Sequence, residues 1–331
     1  MVLSLGCLVG RPTTEINNTT IDALLAGIAN NDYTPTATEL CKNLPDNLDI
    51  CLNEYNNEIR KQGGPTLNEV IKVIPKPVII YVNGYWNGDL PYSSGDNLKN
   101  YWGSSFMISA RNTNLVEKEY FINGANTFFS SGITRFNDGK LFAETRFTNQ
   151  SSDFYKKIIL SLQDNNGKYI KPLYFVSHSM GGAFAEGMIS FLTSKGVPIA
   201  KIYHFSPADV SDFTATLPEQ TIQIDIFPDP VLAYKNIDDI YYISNIKYFG
   251  IADNPQGITN LFGHAYTRGN PDESFIWDWV KNLLNSQMKL TTVSPNGIKY
   301  YSSSTATKFN FMILDGVKYK KSSLSNQYIK Q

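Results

Sequence analysis

The chain has 331 residues, 29 Lys and Arg against 30 Asp and Glu, and a formal net charge of −1. That near balance offers no basic surface for nucleic acid or an anionic membrane, and the length suffices for a large buried core. Hydrophobic residues make up 42% of the chain, and 20 Tyr, 19 Phe and 4 Trp make it rich in aromatics, which serve either as core filling or as a lipid-facing surface.

Residues 1–75 are rich in Asn and Thr, with helical pattern over Ile21–Ile28 and Leu48–Ile59. They read as an N-terminal extension closed by Gly63-Gly64-Pro65. The opening stretch to Gly10 is apolar but short and lacks a basic n-region, so it makes a poor Sec signal. No run of about 18 apolar residues occurs, and the expectation is a soluble chain without a transmembrane helix. Cys7, Cys41 and Cys51 all fall in this extension, with no CxxC and no nearby His to complete a zinc site. Cys41 and Cys51 are either a disulfide or free thiols. No metal and no organic cofactor is expected.

The pattern changes at Lys76. Pro77-Val-Ile-Ile-Tyr-Val82 is a continuous β-branched run, as a strand buried on both faces requires, and ends in the loop Asn83-Gly84-Tyr85. Residues 89–112 read as loop, Asn114–Asn123 as a helix, and Asn126–Phe129 as a short strand. Residues 131–147, with Gly132 and Asn137-Asp-Gly139, suggest a hairpin or mobile flap. The aromatic-rich segments 85–106 and 128–147 make 87–147 a candidate lid over a site, or else surface loops whose rings pack on the core. Ser152–Leu162 reads as an amphipathic helix with Phe154, Ile158, Ile159 and Leu162 on one face.

Next comes Leu173–Val176, an apolar strand that stops at Ser177-His-Ser-Met-Gly181 and gives way to helical periodicity through Leu192. A serine on such a sharp strand-to-helix turn is a nucleophile elbow, in which the serine is strained and small residues stand two before and two after it. Here those supporting residues are Ser177 and Gly181 around Ser179. Lys195-Gly196 stops the helix, and strands follow at Ile199–Phe205, Thr221–Phe227 and Ile240–Ile246. Asp272–Met288 is an amphipathic helix. Beyond Leu290 the chain is Ser/Thr/Lys-rich, with strands at Ile298–Ser302 and Phe309–Leu314. The alternation predicts an α/β fold on a mostly parallel central sheet flanked by helices, with a catalytic domain over 76–289 and a small β-like accessory segment over 290–331.

A serine hydroxyl needs a base, and the base needs an orienting acid. Of three histidines, His178 adjoins Ser179 and must point away from it, and His204 ends a strand as a pocket or packing residue. His264, in a loop before the last long helix, is the candidate base, because it leaves room for an acid between serine and histidine. Asp229 lies just past the Thr221–Phe227 strand, where it can reach the top of the sheet, whereas Asp225 inside that strand suits a structural partner; Asp209 and Asp253 are runners-up in loops. For the oxyanion, the candidate donors are the backbone amides of Met180 and Tyr85, with Gly84 permitting close approach.

The segments Ser177-His-Ser-Met-Gly-Gly-Ala183, Ile202-Tyr-His-Phe-Ser-Pro207 and Asp229-Pro-Val231 together resemble α/β-hydrolases of the lipase class 3 type. That resemblance spans roughly residues 76–285 and implies a Ser179, Asp229, His264 triad acting on acyl esters, often lipids. Ser177 stands where the family has glycine, Ser206 and Ala208 where it has Gly and Arg, and Asn83 where many hydrolases have His. The expected function is hydrolysis of lipid or phospholipid acyl esters through an acyl-enzyme, with transient membrane-surface contact and no nucleic-acid partner. A small-ester esterase or thioesterase is the alternative within the class; an inactive hydrolase-fold interaction module is the alternative outside it.

Overall fold

The computed structural model describes residues 76–85, 92–114, 116–125, 130–227, 229, 242–253, 276, 277, 280, 283, 289–293, 299–302, 309–322 and 327–331. The N-terminal extension with its cysteines, the Asn126–Phe129 strand and His264 lie outside the described residues.

Six parallel strands form the centre: β1 (Val78–Asn83), β2 (Lys118–Asn123), β3 (Leu173–His178), β4 (Ile199–Phe205), β5 (Thr221–Phe227) and β6 (Tyr248–Asp253). They lie in the order β2-β1-β3-β4-β5-β6. β1 and β3 are buried along their whole length. Side chains alternate across a strand, so each apolar run serves two layers. On one face Ile79, Tyr81, Tyr174, Val176, Tyr203 and Phe205 pack with Phe106, Met107 and Trp277. On the other, Val78, Ile80, Val82, Leu173 and Phe175 pack with Phe142, Phe184 and Met188. The helices responsible are α1 (Ser104–Asn114), α2 (Gly132–Thr148) and α3 (Gly181–Ser194). Helical Ile276, Trp277, Val280 and Leu283 are buried as well, within the helix expected over Asp272–Met288.

Five further strands extend the sheet: β7 (Lys289–Val293), β8 (Lys299–Ser302), β9 (Phe309–Leu314), β10 (Val317–Lys321) and β11 (Gln327–Lys330). β9 pairs antiparallel with β6, and the sheet continues β9-β10-β11-β8-β7. The molecule is thus a mixed α/β structure whose central strands are parallel and whose C-terminal strands are antiparallel. The C-terminal segment adds directly to the central sheet.

Several elements differ from the sequence expectation. Residues 131–147 are neither hairpin nor flap but the helix α2, capped by Ser131, whose hydroxyl oxygen accepts from the Thr134 amide. α2 crosses α3 backbone to backbone. A Cβ on Gly139 would lie 2.0 Å from the Phe184 carbonyl oxygen, and one on Gly187 would lie 1.9 Å from that of Phe136. Residues read as loop hold a short 3₁₀ helix, Asp96–Tyr101, and then α1, while the helix expected over Asn114–Asn123 is the strand β2. Leu98, Tyr101, Trp102 and Phe106 are buried there and fill the core. Ser152–Leu162 contains a π-type turn, Tyr155–Ile159, running into a 3₁₀ turn, Leu160–Leu162, though its four expected apolar residues are buried. Among the described residues of 240–246 there is no strand, only a bridge from Ser244 to Thr214; β6 begins at Tyr248.

On β1, burial and then the neighbouring Glu119 carboxylate push the Tyr81 phenol well above its ordinary value, so the neutral hydroxyl donates to Glu119 Oε1 at 3.1 Å. The same carboxylate takes two hydrogen bonds from Arg111, at 2.9 and 2.7 Å.

Candidate active site

The strand order runs outward in both directions from the β1/β3 pair, because β2 follows β1 on one side and β3 to β6 run away on the other. In open α/β sheets such a reversal leaves a crevice beyond the carboxyl ends of the two strands, where ligands bind. Val82 stands opposite Ser177 in the β1/β3 register, so the segment Asn83-Gly84-Tyr85 lies beside the turn His178-Ser179-Met180 at the carboxyl ends of these strands.

Ser179 has φ 55°, the left-handed region that a non-glycine residue seldom occupies. The surrounding hydrogen bonds hold it there. Its amide donates to the Phe205 carbonyl at 3.0 Å, and its own carbonyl accepts from Gly182 and Ala208, both at 3.1 Å. The strained elbow expected from the sequence is present. Met180 is the N-cap of α3 in helical conformation, so the amides at this end have no intrahelical partner and the helix dipole is positive here.

Gly84 meets this turn directly. A Cβ at Gly84 would lie 2.7 Å from Ser179 Cβ and 2.8 Å from the Tyr101 hydroxyl. Gly181 is constrained from the other side, since a Cβ there would come within 2.4 Å of the Val82 carbonyl oxygen. The small residue two positions after Ser179 is therefore demanded by the end of β1 as well as by the turn. Tyr85 follows Gly84 and is 41% exposed, the most open of the expected site residues among those described.

Ser177 carries more than its small size suggested. Its hydroxyl lies 2.6 Å from His204 Nδ1, directly across the β3/β4 register. His204 Nε2 lies 3.0 Å from Glu186 Oε1, and Glu186 Oε2 accepts from the Thr216 amide at 2.8 Å. Ser177, His204 and Glu186 have no exposed surface at all. With Glu186 accepting from Nε2, Nδ1 of a neutral ring is left as the acceptor, and the Ser177 hydroxyl donates to it. This serine, histidine and carboxylate resemble a hydrolytic triad in composition, but no substrate can reach them. They tie β3, β4 and α3 together beneath the elbow. Glu186 and Thr216 escaped the sequence analysis. The available signal was Glu186 itself, the sole charged residue in the otherwise apolar or small helix α3.

The remaining expected residues divide. Asp229 is buried two residues past the end of β5, at the same end of the sheet as Ser179. Asp225, inside β5, accepts from Gln223 Nε2 at 3.0 Å, in keeping with the structural part expected of it. Asp209 pairs with the buried guanidinium of Arg135. His178 turns away from the elbow, its Nδ1 2.5 Å from the Tyr101 hydroxyl. The structure thus brings together Ser179, Met180, Gly84, Tyr85, Ser177 and Gly181 and sets Asp229 at the same sheet end, while His264 lies outside the described residues. Among the described residues no cluster of His, Cys, Asp and Glu could hold a metal ion, and no helix is long and apolar enough to cross a membrane.

A serine held in this way can attack a carbonyl once a base takes its proton, and backbone amides at the helix N-terminus can stabilise the resulting oxyanion. No known family model matches this chain, and no curated protein matches it either.

Proposed function

We propose that the protein is a serine hydrolase of carboxylic esters, with an α/β-hydrolase arrangement of its site and lipid or phospholipid acyl esters as substrates. The observation that carries this reading is Ser179 at φ 55° on the β3–α3 turn, at the switch point of the sheet and against Gly84. The chain order supports it too: Asp229 follows β5, and His264 follows β6 in sequence, the order serine, acid, histidine of α/β-hydrolases.

In the proposed reaction His264 takes the proton from Ser179 Oγ as that oxygen attacks the ester carbonyl. The amides of Met180 and Tyr85 stabilise the tetrahedral oxyanion. The alcohol leaves with the proton from His264, and Asp229 orients the imidazole and stabilises its charged form. Water, deprotonated by the same histidine, then hydrolyses the acyl-enzyme and restores the serine.

A fluorophosphonate probe tests the nucleophile. Covalent labelling at Ser179, abolished in Ser179→Ala, is expected, and an unlabelled wild-type protein would refute the reading. A panel of nitrophenyl esters from acetate to palmitate, together with phospholipid vesicles, tests the substrate class. Turnover confined to acetate and butyrate would remove lipid from the proposal and leave a small-ester esterase.

A further inference from the structure

Both arms of the candidate oxyanion site are fastened to one short segment, Leu98–Trp102. It comprises the end of the 3₁₀ helix Asp96–Tyr101 and the residue after it, all on the face of the sheet away from α2 and α3. On the β1 side, Asn83 has no exposed surface, and its side chain is bonded at both ends to this segment. The Trp102 indole Nε1–H donates to Asn83 Oδ1 at 2.7 Å, and Asn83 Nδ2 donates to the Leu98 carbonyl at 3.3 Å. An indole can only donate, so the orientation of the Asn83 amide is fixed by chemistry. The Asn83 main-chain carbonyl accepts from Gly124 at 3.0 Å, which ties the same residue to the end of β2.

On the β3 side, the Tyr101 hydroxyl lies 2.5 Å from Nδ1 of His178, the residue immediately before Ser179. That hydroxyl also bounds the space beside Gly84, where a Cβ would meet Tyr101 and Ser179 together. Neighbouring residues of one rigid turn therefore hold the residue before Gly84 and the residue before Ser179. The segment is itself immobilised by rings. Trp102 stacks on Phe106 with centroids 5.3 Å apart and tilts against Tyr81 at 5.2 Å.

We propose that Leu98–Trp102 is a clamp that sets the separation of the two oxyanion-donor backbones, with Tyr101 and Trp102 as positioning residues. The proposal rests on the hydrolase reading for its functional meaning, though the clamp itself is a matter of geometry. Donors act on a transition state only when held at the place where charge develops, and a misplacement of about 1 Å can cost on the order of a hundredfold in rate.

The test uses the full chain with Trp102→Phe and Tyr101→Phe, which remove one donor or hydroxyl each and keep a ring in the core. For each, kcat and KM on a nitrophenyl ester are measured, with inhibition by an alkyl trifluoromethyl ketone, whose serine adduct carries an oxyanion. Expected is a fall in kcat of roughly ten- to a hundredfold with KM held within about twofold, and a parallel loss of ketone affinity. Amide hydrogen exchange at residues 83–85 and 178–181 should quicken in both variants, a readout that needs no turnover. Unchanged kcat and unchanged exchange in folded variants overturn the clamp even when wild-type Ser179 is labelled by fluorophosphonate. If wild-type protein is not labelled, the hydrolase reading fails and exchange alone decides the clamp. If Trp102→Phe does not fold, Tyr101→Phe decides. Failure of both to fold also overturns the proposal, because the segment then acts as a support of the whole core.

Discussion

Replacing Glu186 by Gln tests the buried chain beneath the elbow with almost no change in shape. The wild-type carboxylate accepts from His204 Nε2 at 3.0 Å and from the amide of the half-buried Thr216 at 2.8 Å, and Glu186 and His204 themselves have no exposed surface. A glutamine has one accepting oxygen and an NH₂ that only donates. If its oxygen keeps Thr216, the NH₂ confronts Nε2, so the His204 tautomer must reverse and Nδ1 becomes a donor toward Ser177. The Ser177 hydroxyl then needs a new acceptor. Hydrogen bonds to a charged group contribute about 1.5–3 kcal/mol each against about 1 kcal/mol for neutral ones, so weakening two of them costs about 1–3 kcal/mol. Denaturant unfolding reads this as a lower midpoint at constant slope. Nitrogen-15 chemical shifts of His204 read the tautomer directly. Fluorophosphonate labelling of Ser179 should survive, since in the proposed reaction the base is His264 and not His204. A variant as stable as wild type, with the Nε2–H tautomer intact, would refute the hydrogen-bond assignment; loss of labelling in a folded variant would refute the separation of the buried Ser177–His204–Glu186 set from the proposed nucleophile.

Other outcomes follow from distances already given. Gly84→Ala would force a methyl to within 2.7 Å of Ser179 Cβ, so ester turnover should fall at least tenfold, while overpacking costs about 1–3 kcal/mol of stability; wild-type turnover would show that the two backbones do not approach so closely. Gly187→Ala drives a Cβ into the Phe136 carbonyl at 1.9 Å across the α2/α3 crossing, and a loss of about 3 kcal/mol is expected in denaturant melts; a change under about 0.5 kcal/mol would refute that contact. Tyr81 has its folded pKa raised above the ordinary 10.0, by burial first and Glu119 second. Its neutral form therefore contributes stability that is complete below pH 10 and is lost as pH rises beyond it. Tyr81→Phe should flatten that alkaline loss in melts taken across pH 9 to 12, and an unaltered slope would assign the loss to other groups.

How much could be read in advance depended on whether local pattern and tertiary demand agreed. Ile199–Phe205, Thr221–Phe227 and Phe309–Leu314 have the bounds expected of them, because apolar residues recur at least at every second position along each. Asn137-Asp-Gly139 looks like a turn, yet it lies inside α2, where Gly139 is needed for the approach of Phe184 rather than for a bend. Ile240-Tyr-Tyr-Ile243 has strand composition, but the Ile243 amide is satisfied by Gln223 Oε1 at 3.0 Å rather than by a ladder. The true strand, Tyr248–Asp253, carries Gly250, which weakens its local signal but gives room to the Phe309 ring. In the candidate site, the strained turn at Ser179 was legible because the strand end, the small flanking residues and the helix start lie within one short window. The Ser177–His204–Glu186 chain and the Asn83–Trp102 and Tyr101–His178 bonds join residues far apart in sequence, and a pattern within a window cannot show them.

The pairing of β9 with β6 gives the C-terminal strands a meaning that their composition concealed. Without β9, the strand Tyr248–Asp253 would present a bare row of amides and carbonyls, a template for pairing with another molecule. Val317–Lys321, which follows β9, carries Lys318, Lys320 and Lys321, so the added strands bring charge beside a β6 that is uncharged from Tyr248 to Ala252. The C-terminal strands thus cover the edge of the last parallel strand, which would otherwise be open to self-association.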